Sequence, residues 1–128
     1  MLEVTAAVIR SGARFLLCQR PAGKSNGLLW EFPGGKQEQG ETLPECIRRE
    51  CMEELGIVVE PTAVLAEATH AAPGGVIHLT FFLCEIQSGE LTRKEHAAFA
   101  WVTRAEAARY PLCPGDASML AALPEGLL

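Results

Sequence analysis

Glu50, Glu53 and Glu54 stand at i, i+3 and i+4 within Arg49-Glu50-Cys51-Met52-Glu53-Glu54. Three like charges at that spacing share one side of a helix and repel one another. On a wheel of 100° per residue, Leu43, Ile47, Cys51 and Leu55 fill an arc of about 120°, and the three glutamates an adjoining arc of about 100°. The arcs overlap: Glu54 lies between Leu43 and Ile47, and Glu50 beside Leu43. At least two carboxylates therefore point at the edge of a core, where they must take up protons or meet a cation. A charge run on a helix faces solvent by default. The overlap favours a hard cation held by oxygen ligands, Mg²⁺ first. Arg49, four residues from both Glu45 and Glu53, can form surface ion pairs or hold a carboxylate in one rotamer.

The elements that must position these groups can be read from capping and turn residues. Thr42 with Glu45 forms a capping box, Pro44 is tolerated in the first turn, and Gly56 closes the helix. Val4 to Arg10 and Phe15 to Arg20 read as strands joined by the turn Ser11-Gly12-Ala13-Arg14. Pro21 to Gly27 is a polar loop. Leu28 to Phe32 is a short extended piece stopped by Pro33-Gly34-Gly35. Val58 to Thr69 is mostly strand, interrupted at Pro61. After the turn Pro73-Gly74-Gly75, Val76 to Ile86 is a nearly continuous apolar strand, expected to be buried on both faces. Ala98 to Val102 is another strand. Thr103 and Glu106 open a short helix ending before Pro111, and Asp116 to Leu123 is a last helix. The expected fold is α/β, an α/β/α sandwich around a mixed sheet, in a single domain over residues 1–128.

The chain has 128 residues, 48% hydrophobic and 21% charged, the balance of a globular domain. Sixteen acidic residues against eleven Lys and Arg give a formal charge of −5. That excess disfavours nucleic-acid polymers and anionic membranes as partners. It leaves room for a small phosphorylated substrate, because a bound cation reverses the local field. No apolar run reaches the roughly 20 residues that span a bilayer, and Glu3 stands where a signal peptide would carry positive charge, so the expected location is the cytoplasm. Five cysteines without a C-x-x-C pair read as buried reduced thiols. The histidines lack metal-ligand spacing, and His78, on an apolar strand, reads as a satisfied core histidine. The Pro124 to Leu128 tail is apolar.

Gly35, five residues, Glu41, seven residues, then Arg49-Glu50-Cys51-Met52-Glu53-Glu54-Leu55-Gly56-Ile57 resembles the Nudix box, G-x5-E-x7-R-E-U-x-E-E-x-G-U, with U a bulky apolar residue. Every fixed position matches, and the small Cys51 is the one soft departure. Seven fixed residues at these spacings arise by chance less than about once in 10⁷ chains of this length. Trp30-Glu31-Phe32-Pro33-Gly34-Gly35-Lys36 resembles the segment entering the box in MutT-type enzymes and their CTP-hydrolysing relatives. Gln19-Arg20, Ile77-His78-Leu79, Glu95-His96 and Tyr110 to Asp116 are similar to counterparts in that subgroup.

The resemblance implies a Nudix fold and Mg²⁺-dependent hydrolysis of a nucleoside triphosphate to monophosphate and pyrophosphate, with Mn²⁺ as a substitute ion. It implies Glu50, Glu53, Glu54, the Gly34 carbonyl and Glu95 as metal ligands. It shares the role of base between Glu53 and Glu95, and gives Glu41 and Arg49 structural and orienting roles in the catalytic set. Arg20 corresponds to a phosphate contact. Asp116 corresponds to a residue reading the base edge, and is equally readable as the N-cap of the last helix. Val4, Ala6, Phe32 and Ile77 correspond to apolar pocket positions that are otherwise plain core. Trp30 and Trp101 could stack a base, although packing is the commoner use. The expected role is cleansing the nucleotide pool of oxidised or non-standard triphosphates such as 8-oxo-dGTP, or hydrolysing a cytidine nucleotide, in a monomer or homodimer. The alternatives are a hydrolase of another nucleoside diphosphate-X substrate and a non-catalytic nucleotide sensor.

Overall fold

Ten elements follow one another: β1 (Leu2–Ser11), β2 (Arg14–Gln19), β3 (Trp30–Glu31), β4 (Gly34–Lys36), α1 (Leu43–Leu55), β5 (Val58–Ala72), β6 (Gly75–Ser88), β7 (Ala98–Val102), α2 (Arg104–Ala107) and α3 (Pro114–Ala122). They are seen in a computed structural model that describes residues 1–123 and Gly126. The apolar tail expected at Pro124 to Leu128 falls, apart from Gly126, outside the described residues. The strands form one sheet in the order β3-β2-β1-β6-β5, with β4 pairing β1 and β7 pairing β2. Among the described residues β1 and β6 pair in parallel and the other ladders are antiparallel. The sheet is therefore mixed, as expected.

Residues 5–9 of β1 are all buried, so its alternating side chains feed two cores. Ala6 and Val8 join Phe15, Phe32, Phe81, Met119 and Leu120 on the face under α3. Ala7 and Ile9 join Leu16, Ile47, Cys51, Leu55 and Phe82 under α1. Helices thus cover both faces. β6 is buried on both faces only from Thr80 to Cys84, a narrower span than its composition suggests. Thirteen helical residues reach about 20 Å, whereas fourteen strand residues reach about 46 Å, so the ends of β6 project beyond the helix. All five cysteines are buried and free.

Both capping boxes form. Thr42 Oγ1 accepts from the Glu45 amide at 3.2 Å and Glu45 Oε1 accepts from the Thr42 amide at 2.8 Å. Thr103 and Glu106 repeat the arrangement on α2. Gly56 ends α1 at φ 71°, a conformation with little steric cost only for glycine.

Three expectations are corrected. β3 ends before Pro33 as expected, but Gly34 and Gly35 then form a strand of their own, pairing with Ala6 and Thr5. A Cβ on Gly34 would lie 2.0 Å from the Thr5 carbonyl oxygen, so the close approach of β4 to β1 needs the glycine. Pro61 does not interrupt β5, which runs on through register shifts beside it. It is tolerated because β5 is an edge strand. The last helix begins at Pro114, with Cys113 rather than Asp116 as its N-cap.

His78 is satisfied, but by carboxylates and in a half-buried position. Its Nδ1 lies 2.6 Å from Glu3 Oε1 and its Nε2 2.9 Å from Glu67 Oε1. The Glu3 hydrogen bond, with Glu67 adding to it, holds the imidazole above its ordinary pKa. A raised folded-state pKa gives stability that is full below the unfolded value near 6.5 and is lost as pH rises through the folded value. His78→Leu should therefore lower the melting temperature relative to wild type more at about pH 6 than at about pH 9. Paired thermal melts at the two pH values check this, and a gap that widens with pH would contradict it.

Candidate active site

Arg49 organises the N-terminal side of the site. Its Nε and Nη2 grip Glu41 in a fork, at 3.0 Å to Oε2 and 2.7 Å to Oε1. Nη2 also donates to the Lys36 carbonyl, and Nη1 donates to Glu50 Oε1 at 2.8 Å and Glu53 Oε2 at 3.1 Å. Glu38 completes the ring of anions at 3.2 Å. Arg49 holds Glu41 well below the usual carboxylate range, at about 2. Of the two helical partners expected for Arg49, Glu53 is engaged, while Glu45 is occupied with its cap.

A cavity of about 190 Å³ opens beside this cluster, lined by Glu50, Glu54, Glu95, Gly34, Arg20, Glu31, His96, Pro21 and Lys24. The overlap of arcs on α1 has the expected consequence. The Glu54 side chain is 8% exposed and Glu50 15%, whereas Glu53 is 56% exposed. Burial, followed by the hydrogen bond and charge of Glu50 and the charges of Glu95 and Glu31, pushes the Glu54 carboxyl up to about 10. Its Oε2 is buried without a hydrogen-bond partner. Gly35 forms a cradle for Glu50, since a Cβ there would lie 2.6 Å from the Glu50 carboxyl carbon.

The structure therefore brings together Gly34, Glu50, Glu54 and Glu95 of the expected metal set. It leaves Glu53 outside the cavity lining, on the rim with Arg49. Among the described residues no three His, Cys, Asp or Glu side chains are already arranged as a metal cage. The donor chemistry nonetheless fits a hard divalent ion: every candidate donor is an oxygen. The orphaned oxygen of Glu54, crowded by Glu50, lacks the positive charge that such an ion carries.

Arg20 reaches the cavity as expected, its Nη1 donating to Glu31 Oε1 at 3.1 Å and its Nε to the Ser25 carbonyl at 2.8 Å. On the sheet face under α3, the register pairs Leu2 with Ile77, Val4 with Leu79 and Ala6 with Phe81. Val4, Ala6 and Ile77 consequently share that face. Ala6 and Phe32, 5% and 4% exposed, are core residues first. Ile77 lines a small pocket with Met1, Leu2 and the β5–β6 turn. Asp116 Oδ1 accepts from the Phe32 amide at 3.1 Å, which ties α3 to the end of β3. Burial pushes the Asp116 carboxyl up to about 7. Next to it, a mostly apolar groove of about 370 Å³ runs between α3 and the β5–β6 pair, lined by Ala66, Ala68, Leu79, Phe81, Gly115 and Ser118 among others. Trp30 packs edge-on against Tyr110, and Trp101 packs against the core under α1; neither lines the acidic cavity. Sequence reasoning assigned no role to Glu31, His96 and Lys24, which carry no spacing signal; proximity in the fold brings them in.

Comparison with known proteins gives a consistent picture. The NUDIX domain family model matches residues 1–123. The CTP pyrophosphohydrolase of Escherichia coli K12 is 39% identical over 122 residues, covering 95% of this chain and 90% of the relative. An 8-oxo-dGTP diphosphatase of Proteus vulgaris is 42% identical over 95 residues, covering 73% of this chain and 85% of its own. The solution structure of the E. coli ORF135 protein superposes with a TM-score of 0.83 at 39% identity, covering 95% of this chain and 87% of that one.

The buried Glu54 carboxyl leads to a stability prediction. In EDTA near neutral pH, Glu54→Gln should be more stable than wild type, because folding must protonate the wild-type carboxyl and the amide needs no proton. Millimolar Mg²⁺ should raise the melting temperature of wild type and leave the variant nearly unmoved, because folding is what gathers the ligands. Thermal melts with and without the ion check both statements.

Proposed function

The chain is a Nudix hydrolase, a member of the NUDIX domain family, and on that premise we propose that it converts a nucleoside triphosphate, with Mg²⁺, to the monophosphate and pyrophosphate. The observation that carries this reading is the carboxylate pair of half-buried Glu50 and buried Glu54 on one wall of the cavity that Arg20 and Lys24 also line. The acidic wall suits a divalent ion, and the basic groups suit phosphate oxygens. The Nudix relatives named above act on CTP and 8-oxo-dGTP, which supports a triphosphate over other diphosphate-linked substrates. An intact carboxylate set supports catalysis over sensing.

Glu50, Glu54 and the Gly34 carbonyl would hold the ion, with Glu53 joining from the rim. When bound, the ion neutralises phosphate charge and acidifies water. Arg49 holds Glu50 and Glu53 in place through hydrogen bonds from Nη1. Arg20 orients the phosphates. Glu95, exposed on the cavity wall, would accept a proton from the attacking water. Asp116 and the groove beside it would receive the base. Near neutral pH its carboxyl both accepts and donates hydrogen bonds, so it can pair with an exocyclic amine and the neighbouring N–H of guanine or its 8-oxo form.

The test of the reading is pyrophosphate release from a triphosphate panel with and without Mg²⁺; phosphate release or metal-independent turnover would contradict it. Glu53→Gln should remove more than about 90% of kcat, a loss above 1.4 kcal/mol of transition-state stabilisation, with the fold intact. If Glu53 served only as a surface partner of Arg49, the rate would stay near wild type. Asp116→Ala should cost roughly 1–3 kcal/mol in kcat/KM for bases that carry an amine, and much less for thymine and uracil nucleotides. Measuring kcat/KM across the panel checks this, and a uniform fall would place base recognition elsewhere.

A further inference from the structure

On the floor of the cavity lies a side chain for which the chemistry above has no use. His96 is 4% exposed at its side chain, and its ring lies 6.4 Å from that of Phe99. Its Nε2 is 3.0 Å from Glu31 Oε2 and 3.7 Å from Glu54 Oε1. The other oxygen of Glu31 is held by Arg20 Nη1. A continuous polar chain therefore runs Arg20–Glu31–His96–Glu54 and joins the phosphate-facing wall to the acidic helix. The imidazole Nδ1 is buried with no hydrogen-bond partner. A residue present only to fill space against Phe99 would not need a ring that strands a polar atom, since unsatisfied burial costs stability. What distinguishes this ring from an apolar one is Nε2, which lies between two carboxylates.

We propose that His96 is a positioning residue for the reaction. By donating to Glu31 Oε2 it fixes that carboxylate, and the opposite oxygen then holds Arg20 toward the cavity. The same ring edge limits the rotamers of Glu54, so that its oxygens stay at the cavity wall. Arg20 has five N–H donors in a rigid fork, and with Nε on Ser25 and Nη1 on Glu31 the remaining ones are left for phosphate. His96 thus couples the aim of the phosphate-binding arginine to the placement of a metal carboxylate. The inference rests on the triphosphate reading of the same cavity.

The test compares His96→Leu, His96→Gln and Glu31→Gln with wild type. The glutamine amide nitrogen occupies nearly the place of Nε2 and preserves the donor. The readouts are Mn²⁺ affinity by electron paramagnetic resonance without nucleotide, affinity for a non-hydrolysable triphosphate analogue, and kcat and KM. His96→Leu should weaken analogue binding and raise KM by at least about tenfold, and weaken Mn²⁺ binding by at least about threefold. His96→Gln should stay within about threefold of wild type on every readout. Glu31→Gln should weaken the analogue alone, and adding it to His96→Leu should cost little more, because residues in one chain are not additive.

Wild-type affinities in folded His96→Leu would overturn the proposal. So would a His96→Gln variant as impaired as His96→Leu. Should His96→Leu fail to fold, Glu31→Gln decides, and an unchanged affinity for the analogue there overturns the link to Arg20. A wild-type enzyme that releases no pyrophosphate would instead overturn the triphosphate reading, whereas loss of the His96 effect in an active enzyme overturns only the role of His96.

Discussion

Glu31, Glu50, Glu54 and Glu95 surround one small cavity, and Glu54 is almost wholly removed from water. Like charges about 4 Å apart at an effective dielectric of about 20 repel by about 4 kcal/mol. A fold of this size has a total stability of only about 5–15 kcal/mol, so it cannot hold several such pairs uncompensated. Two compensations are visible. Arg49 takes the outer side of the cluster, donating to Glu41, Glu50 and Glu53 and offsetting part of their charge. Arg20, with His96, takes Glu31. Glu54 is left over, and burial, with the hydrogen bond and charge of Glu50, raises its pKa.

The rest of the fold serves to keep these groups crowded. α1 is fixed at both ends, by the Thr42–Glu45 box and by Gly56, so its glutamates cannot fray away from one another. β4 lies against β1 at a distance only glycine permits, and Gly35 makes room for the Glu50 carboxyl. The fork of Arg49 on Glu41, with its bond to the Lys36 carbonyl, fastens the loop before α1 to the helix. Glycine and glutamate positions in this segment are thus a single packing solution. A side chain on Gly34 would collide with the β1 backbone, and one on Gly35 would displace the Glu50 carboxyl.

The helix was the most legible part of the site because its signals are local. Caps, the apolar stripe and the misplaced glutamates all lie within fifteen residues, and the wheel alone indicates that Glu54 and Glu50 face inward while Glu53 is less committed. β4 was illegible because two glycines after a proline argue against a strand, and the reason they form one is pairing with β1, thirty residues earlier. Asp116 resembled a cap because Gly-Asp-Ala-Ser has the composition of a helix start. Its actual partner, the Phe32 amide, is 84 residues away in sequence. Glu31 and His96 belong to the same class: 65 residues apart, they meet only because β2 pairs with both β3 and β7. Contacts within one element leave a pattern in sequence, and contacts set by sheet topology do not.

An acidic protein that binds a polyanion faces an electrostatic contradiction, and the arrangement of the cavity resolves it spatially. The carboxylates gather on the α1 side, while Arg20 and Lys24 come from the loop after β2, and the apolar groove lies on the opposite sheet face under α3. On the proposed reading, a free triphosphate meets net negative potential at the helix, whereas a triphosphate arriving with a divalent ion brings the charge that Glu54 lacks. The repulsion that burdens the metal-free protein then acts as a filter in favour of the metal-complexed nucleotide. On that reading the filter would reside in the carboxylates and base recognition on the α3 face, so the two could vary independently. The same acidic helix can then serve nucleotides with different bases while the residues around Asp116 change.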